Sequence, residues 1–201
     1  MTSFADDIDL DRVRRALASS PDHAEPDPDD RLASVATVLR PGKNDGAEVL
    51  LIRRASHEDD PWSGHMAFPG GRHDPGDRNL LHTAVRETRE ELGLDLESEG
   101  ALIGRLPLLP AIARGRRFGL TIAPFVFALE HEAPLTPNYE VAEAIWAPLG
   151  PMLRGEIATT LPYRMGEELL EMPAYDVEGR VVWGLTYRML QSLFEEIARS
   201  A

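Results

Sequence analysis

The sequence predicts an α+β domain in which a mixed β-sheet lies between helices. Strand-like runs follow one another without regular alternation with helices, and amphipathic helices are predicted near both ends of the chain. With 201 residues, 43% of them hydrophobic, the chain can bury one sizeable core. We therefore expect one domain over residues 32–201, preceded by an N-terminal helix and acidic connector over residues 1–31.

The N-terminal half predicts a helix, a hairpin and a long loop. Residues 8–19 carry apolar side chains at helical spacing, and the Pro- and Asp-rich run SSPDHAEPDPDD follows as an exposed connector. Two β-rich runs, RLASVATVLR and AEVLLIRRA, flank the turn-forming cluster PGKNDG and predict a hairpin. The loop SHEDDPWSGHMAFPGGRHDPGDRN then leads into a helix at roughly 79–92, with Gly93 as its C-cap.

The C-terminal half predicts further strands and a closing helix. The runs ALIGRLPLLPAIA and LTIAPFVFALE are strand-like, and RGRRFG between them predicts a hairpin tip. EVAEAIWAPLGPMLR predicts a strand that leads into a short helix, and GRVVWGL predicts another strand. The run TYRMLQSLFEEIARS predicts an amphipathic helix whose apolar side carries Leu190, Leu193, Phe194 and Ile197.

Composition excludes several classes of function. The net charge of −13 argues against non-specific binding to nucleic acid or to anionic membranes. The absence of Cys excludes disulfides and thiolate chemistry and is compatible with a reducing compartment. The acidic N-terminus lacks an apolar signal core, and the longest apolar run is too short to span a bilayer. We expect a cytoplasmic protein that binds a small molecule, and the sequence leaves its oligomeric state open, a homodimer included.

The stretch RETREELG gathers Glu87, Glu90 and Glu91 within five positions. At about 100° per residue, these carboxylates fall within an arc of about 100° on a helix. The apolar side chains cluster on another side, so the carboxylates are expected to form a separate face. A solvated acidic face is the simplest interpretation, and only neighbouring motifs favour a functional one.

Those motifs are present, because FPGGRHDPGDRNLLHTAVRETREELGL resembles the box of the Nudix hydrolases, Gly-x5-Glu-x7-Arg-Glu-U-x-Glu-Glu-x-Gly-U, where U is apolar. Its second half matches position by position, with Thr88 where an aliphatic residue is commoner. Its first half departs: Gly71 lies one residue too far upstream, and Arg78 stands where the isolated Glu is expected. Asp74 or Asp77 is the candidate substitute.

The one-residue extension resembles the coenzyme A diphosphatase branch of this family. The branch signature Leu-Leu-Thr-x-Arg-Ser/Ala-x3-Arg-x3-Gly-x3-Phe-Pro-Gly-Gly aligns with Leu50, Leu51, Arg54, Ala55 and residues 64–71. Ile52 replaces the Thr, and Asp59 or Asp60 stands where the second Arg is expected, in an interval that is one residue longer. The resemblance covers roughly residues 32–195, including the strand order and the terminal run VVWGLTYRML.

The resemblance implies a Nudix-like α/β/α sandwich and a Mg²⁺- or Mn²⁺-dependent diphosphatase. It implies that Glu87, Glu90 and Glu91 bind metal and that a backbone carbonyl near Gly71 adds an oxygen. Mg²⁺ prefers carboxylate, water and phosphate oxygens, which agrees with this set. Arg86 joins the catalytic set as the residue expected to pair with a carboxylate and hold the loop against the helix.

The reaction implied is attack of water on one phosphorus of a diphosphate. Glu87 is the first candidate for the base that takes the proton from water, and Glu140 is its rival, with Glu143 behind it. Candidate substrate-binding residues come from the same loop and from the basic hairpin tip, where an Arg could bind the 3'-phosphate of coenzyme A. They are Arg54, His65, Phe68, Arg116 and Arg117.

The expected substrate is coenzyme A or acyl-CoA, giving adenosine 3',5'-bisphosphate and 4'-phosphopantetheine or its acyl form. Because the second Arg of the branch signature is missing, ADP-ribose or a nucleotide sugar is the alternative substrate. A Nudix-shaped module that senses a nucleotide without hydrolysing it is the alternative from another class, since fold alone does not establish activity.

Overall fold

A computed structural model of the chain describes residues 8–18, 25–26, 30–42, 46–56, 62–113 and 116–200, and residues 112, 113 and 116–118 by their backbone alone. The helices within these ranges are α1 (Leu10–Ala18), α2 (Leu80–Leu92), α3 (Leu96–Glu99), α4 (Leu149–Leu153) and α5 (Gly184–Arg199). The first strands are β1 (Arg31–Pro41), β2 (Ala47–Arg54), β3 (Met66–Ala67), β4 (Gly70–Arg72), β5 (Gly100–Arg105) and β6 (Leu109–Ala113). The remaining strands are β7 (Arg116–Leu129), β8 (Val141–Pro148), β9 (Ala158–Met165), β10 (Glu168–Val177) and β11 (Arg180–Trp183).

The larger sheet is mixed and has β1 near its centre. Its strands follow the order β3-β2-β1-β7-β5, while β4, β6 and β8 pair with β1, β7 and β2 respectively. The pairing of β1 with β7 is parallel, and the other pairings in this sheet are antiparallel. A second, antiparallel sheet has the order β11-β10-β9.

Hydrophobic clusters lie on the two faces of the larger sheet. Alternate residues of β1 point to opposite faces, so Ala36 and Val38 join a cluster with Ala84 and Leu92 of α2, whereas Leu39 joins the other cluster. That other cluster holds the buried residues of α1 and α5, including the four predicted apolar residues of the closing helix. The predicted α/β/α layering with a mixed sheet between helices is therefore confirmed.

The bounds of the helices and strands show which elements local sequence signals were sufficient to predict. The β1–β2 hairpin, α2 with its Gly93 end and the strand leading into α4 are confirmed. The strands β6 and β7 form an antiparallel pair, but residues 116–119 of the predicted hairpin tip belong to β7, because Arg116 and Arg117 pair with Ala113 and Ile112. The expected long loop contains the short strands β3 and β4, and α5 begins at Gly184, inside the predicted strand GRVVWGL. The β9–β10 hairpin was not predicted.

Every helix within the described ranges is too short or too polar to span a bilayer.

Candidate active site

Helix α2 carries the acidic cluster and is fixed at both ends. Asn79 is the N-cap, and its side-chain oxygen accepts a hydrogen bond from the backbone N–H of His82 at 2.9 Å. Gly93 ends the helix with φ of 66°, a left-handed conformation that favours glycine, and its N–H donates to the carbonyl of Arg89 at 2.9 Å. The register of the carboxylates is thereby set against the sheet.

Glu91 departs from the expected solvated acidic face. Only 2% of its surface is exposed, and one carboxylate oxygen accepts a hydrogen bond from the backbone N–H of Gly70 at 2.8 Å. Burial raises the pKa of Glu91 to about 8, although the Gly70 hydrogen bond opposes that shift. The interpretation of a solvated acidic face is therefore wrong for Glu91, because β4 covers this side of the helix.

Glu87 lies directly against Gly71 of β4. A Cβ atom on Gly71 would lie 2.6 Å from the Glu87 carboxylate carbon, so a larger residue at this position would displace the Glu87 side chain. Burial raises the pKa of Glu87, and the neighbouring Arg86 opposes the shift. The strand β4 and the helix thus bring Glu87 and Glu91 to the same place.

Arg86 holds the loop against the helix, as predicted. Its guanidinium donates to both carboxylate oxygens of Asp77, at 2.9 and 3.0 Å, and also pairs with Glu87 at 2.9 Å and Glu90 at 3.0 Å. This arginine holds the pKa of the Asp77 carboxyl well below its ordinary value. Of the two candidate substitutes, Asp77 is the one that contacts Arg86, whereas Arg78 pairs with Glu97 on the surface.

The three carboxylates of the cluster differ in exposure. Glu90 has a side chain that is 56% exposed and faces Arg86, whereas Glu87 and Glu91 line a cleft. Glu140, immediately before β8, lines the same cleft, and its charge raises the pKa of both Glu87 and Glu91 further. Glu143 pairs with Arg180 and Arg53 instead, and Arg180 lowers its pKa.

The cleft has a volume of about 1210 Å³ and runs between the larger sheet and the β9–β11 sheet. Arg54 and His65 line it, as expected of substrate-binding residues. Phe68 also lines it but is only 2% exposed and packs in the core. The side chains of Arg116 and Arg117 lie outside the described residues, as do Asp59 and Asp60.

Several lining residues escaped the sequence prediction. Trp183, Met165, Leu170 and Met172 come from β9, β10 and β11, and Arg188 comes from the first turns of α5. The β9–β10 segment gave a weak strand signal, because each of its two strands contains a proline. Pairing across the hairpin, and not local propensity, brings these side chains to the cleft.

The carboxylate oxygens of Glu87 and Glu91 are suitable ligands for a divalent cation. Among the described residues, no three His, Asp or Glu side chains converge closely enough to form a ready metal centre. Glu87 and Glu91 nevertheless supply carboxylate oxygens at one end of the cleft, and burial disfavours their charged forms. A hard cation would compensate for this cost, because it stabilises ionised carboxylates.

Comparison with known proteins identifies the class to which this fold and site belong. The family model described as the NUDIX domain matches residues 30–162. The chain therefore belongs to the Nudix family, hydrolases that act on diphosphate anhydrides and generally use divalent metal ions. The alternative of a non-catalytic sensing module is not retained.

Two relatives and one solved structure illustrate the range of similarity. The chain is 31% identical over 180 residues to the mitochondrial coenzyme A diphosphatase NUDT8 of Homo sapiens, covering 87% of this chain and 72% of that protein. It is 40% identical over 116 residues to an uncharacterised protein of Schizosaccharomyces pombe, covering 56% of this chain but only 35% of that protein.

The solved structure is a bifunctional NMN adenylyltransferase/ADP ribose pyrophosphatase from Francisella tularensis, complexed with AMP and a Mn ion. Its TM-score is 0.55 at 14% identity, over 92% of this chain and 45% of that chain. At this identity the likeness supports the fold alone.

Proposed function

We propose that this Nudix hydrolase is a coenzyme A diphosphatase that uses Mg²⁺ or Mn²⁺. The observation that carries the proposal is that Arg54, His65 and the Gly70-Gly71 pair of β4 line the same cleft as Glu87 and Glu91. These loop residues belong to the segment that resembles the coenzyme A diphosphatase signature. The similarity to the human coenzyme A diphosphatase over most of both chains supports the same substrate.

Glu87, Glu90 and Glu91 would hold the cation, with a backbone carbonyl near Gly71 as a further ligand. When bound, the cation polarises the phosphoryl oxygens and neutralises charge that develops during the reaction. Glu87 takes the proton from the attacking water, whose oxygen forms a new bond to phosphorus as the bridging P–O bond breaks. Arg86 and Asp77 keep Glu87 and Glu90 in place through their paired hydrogen bonds.

The test is a substrate panel assayed with purified protein and Mg²⁺ or Mn²⁺. Coenzyme A, 3'-dephospho-coenzyme A, ADP-ribose and a nucleotide sugar are compared by kcat/KM, with Glu91→Gln as the inactive control. We expect coenzyme A to be turned over fastest and to yield adenosine 3',5'-bisphosphate and 4'-phosphopantetheine. Faster turnover of ADP-ribose would favour the alternative, which the missing second Arg of the signature supports.

The basic hairpin tip supplies a finer hypothesis about the substrate. Arg116 or Arg117 would bind the 3'-phosphate that distinguishes coenzyme A from its dephospho form. Losing one hydrogen bond to a charged group should reduce kcat/KM on coenzyme A roughly 10- to 150-fold. Arg116→Ala and Arg117→Ala are assayed on both substrates, and equal losses would contradict recognition of the 3'-phosphate.

Location and assembly complete the proposal. A chain without Cys is compatible with the reducing cytoplasm, and the acidic net charge is compatible with a small-molecule substrate in place of nucleic acid or membrane. The sequence leaves the oligomeric state open, a homodimer included, and sedimentation of the purified protein measures it.

A further inference from the structure

Asp77 lies at the centre of a hydrogen-bond network that joins the loop before α2 to the first turns of that helix. Its side chain is only 2% exposed. One carboxylate oxygen accepts hydrogen bonds from Nδ1 of His82 at 3.0 Å and from Nε of Arg86 at 2.9 Å. The other accepts from the Thr83 hydroxyl at 2.9 Å and from a second nitrogen of Arg86 at 3.0 Å. We call Asp77, His82 and Thr83, together with His73 behind Thr83, the Asp77 network.

Each bond in the Asp77 network has a defined direction. Arg86 above all, but Thr83 and His82 as well, lower the pKa of the Asp77 carboxyl, and an ionised carboxylate only accepts hydrogen bonds. Nδ1 of His82 therefore carries a proton. The single Thr83 proton lies 2.9 Å from Asp77 by its oxygen, against 3.3 Å to the carbonyl of the N-cap residue, which assigns it to Asp77. The Thr83 oxygen then accepts from Nδ1 of His73 at 2.8 Å, so both histidines carry a proton on Nδ1.

The ring of His82 and the hydroxyl of Thr83 do more than complete helix α2. The backbone N–H of His82 already bonds the Asn79 side chain at 2.9 Å, so the ring is not needed for the cap. Thr88, in the same helix, bonds the carbonyl four residues before it at 2.7 Å, as threonines in helices commonly do. Thr83 is fully buried and has the same option, yet its shorter bond goes to Asp77. The network is therefore built around the carboxylate.

The guanidinium of Arg86 lies between Asp77 and the acidic cluster. It bonds both oxygens of Asp77 and also pairs with Glu87 at 2.9 Å and with Glu90 at 3.0 Å. Paired bonds between arginine and a carboxylate are strong only in a fixed, planar geometry. While it is anchored on Asp77, the guanidinium steadies the two glutamates. A guanidinium released from Asp77 would take more of their oxygens and would compete with a divalent cation for them.

We propose that the three donors of the Asp77 network, His73, His82 and Thr83, are positioning residues for the metal-binding carboxylates. They hold Asp77 in the orientation that keeps Arg86 anchored on it, so that the guanidinium does not compete with the divalent cation. This inference rests on the proposed function, because it requires that the acidic cluster binds a divalent cation.

The first test is calorimetric titration of Mn²⁺ into the wild-type protein, His82→Leu and Thr83→Val, without substrate. Loss of a residue that directly contacts a ligand typically weakens metal binding about 10- to 100-fold. Since these two residues act through Asp77 and Arg86, we expect the Mn²⁺ dissociation constant to rise roughly three- to tenfold. His82→Asn places an amide N–H near the position of Nδ1 and should restore the wild-type affinity.

Turnover adds a second reading of the same variants. At low Mn²⁺ the kcat of His82→Leu should fall, and saturating Mn²⁺ should restore it to the wild-type value, because the variant lacks affinity for the metal and not a group that takes part in the reaction. A kcat that stays low at saturating Mn²⁺ would contradict a role in metal binding alone and overturn the proposal.

Asn79→Ala is the matched control for an effect on helix stability. It removes the side-chain cap of α2 but leaves the donors to Asp77 in place, so it should lower the melting temperature without changing the affinity for Mn²⁺. Weakening of Mn²⁺ binding by Asn79→Ala to the same extent as by His82→Leu would assign the effect to the helix end and overturn the proposal.

Nuclear magnetic resonance of the metal-free wild-type protein needs no variant to fold. Proton–nitrogen correlation spectra of the histidine rings near neutral pH distinguish the two nitrogens, and we expect His73 and His82 to carry a proton on Nδ1. A neutral ring with its proton on Nε2 at either position would overturn the arrangement of donors proposed for it.

Failure of this inference and failure of the proposed function give different results. Mn²⁺ binding by the wild type with unchanged affinity in His82→Leu and Thr83→Val would overturn the positioning role and leave the metal-dependent function intact. A wild-type protein that bound no Mn²⁺ and hydrolysed no diphosphate would overturn the proposed function itself, and the inference with it.

Discussion

Gly71 is a single residue on which the position of the Glu87 carboxylate, the proposed base, depends. A methyl group at this position would lie 2.6 Å from the Glu87 carboxylate and would displace that flexible side chain without disturbing the sheet. We therefore expect Gly71→Ala to lower kcat at least tenfold, while the melting temperature stays close to that of the wild type. Activity assays and thermal unfolding of the same preparation test both statements.

Gly76→Ala is the matched control for this substitution. Gly76 lies in the same loop, and a Cβ atom there would approach the Asp74 side chain only to 3.1 Å. Comparable losses of activity in both variants would mean that loop flexibility, and not the position of Glu87, determines turnover.

Glu90 and Glu91 are expected to be metal ligands despite their different surroundings. Glu→Gln at either position keeps the size of the side chain but removes the charge that holds a divalent cation. We expect near-complete loss of turnover, weaker Mn²⁺ binding by calorimetry and an unchanged circular dichroism spectrum, with the exposed Glu97→Gln as control. Full activity of either variant at low metal concentration would refute its assignment as a ligand.

A second pair of substitutions distinguishes Glu87 from Glu140 as the residue that accepts the proton from water. If Glu87 is the base, Glu87→Gln should lower kcat by about 10²-fold or more. Glu140 lines the same cleft and is the natural comparison. A larger loss in Glu140→Gln, at unchanged metal affinity, would transfer the role to Glu140.

Among the secondary-structure elements, the contact between the long loop and α2 depends on Asp77. Because Arg86 lowers the pKa of Asp77, this carboxylate stabilises the fold above the pKa it has in the unfolded chain, about 3.9, and the contribution is lost as the pH falls below that value. Asp77→Asn should therefore reduce the free energy of unfolding by about 2 kcal/mol at pH 7. The difference from the wild type should shrink towards pH 3.

Urea unfolding at pH 7, 5 and 3 measures this dependence, with the exposed Asp74→Asn as control. A difference between wild type and Asp77→Asn that stayed constant over the whole range would show that the ion pair is not its source.

The elements that could be predicted from the sequence are those with local signals. Helix α2 has its apolar spacing, its Asn79 cap and its Gly93 end within one continuous stretch, so its bounds were predicted almost to the residue. The strands β3 and β4 pair with β2 and β1, and no local pattern marked them. The strands β9 and β10 pair with each other, but the proline inside each of them weakens the local strand signal. The same division applies to the site: the acidic cluster was found from its spacing, whereas the apolar side chains of Met165, Leu170 and Met172 in the cleft were not.

For the molecule as a whole, the N-terminal helix belongs to the core although the family model begins at residue 30. Val13 of α1 is fully buried in the cluster that also contains α5. Val13→Ala should lower the free energy of unfolding by roughly 1 to 3 kcal/mol through lost burial and the cavity left behind. Urea denaturation measures this effect, with Leu102→Ala as the control because Leu102 is 48% exposed on β5. Equal stabilities of wild type and Val13→Ala would mean that α1 does not support the domain.

The parallel pairing of β1 with β7 has a consequence for how the chain reaches its native state. Residues that pair between these strands, such as Ser34 and Ala123, are separated by 89 positions. Closing so long a loop costs entropy before any contact compensates for it, and pairings of this kind slow folding. During synthesis β1 leaves the ribosome long before β7. Until β7 pairs with it, the backbone N–H and C=O groups of this apolar strand can pair with other chains. Aggregation during expression should therefore begin at β1, and slower production at lower temperature should increase the soluble yield.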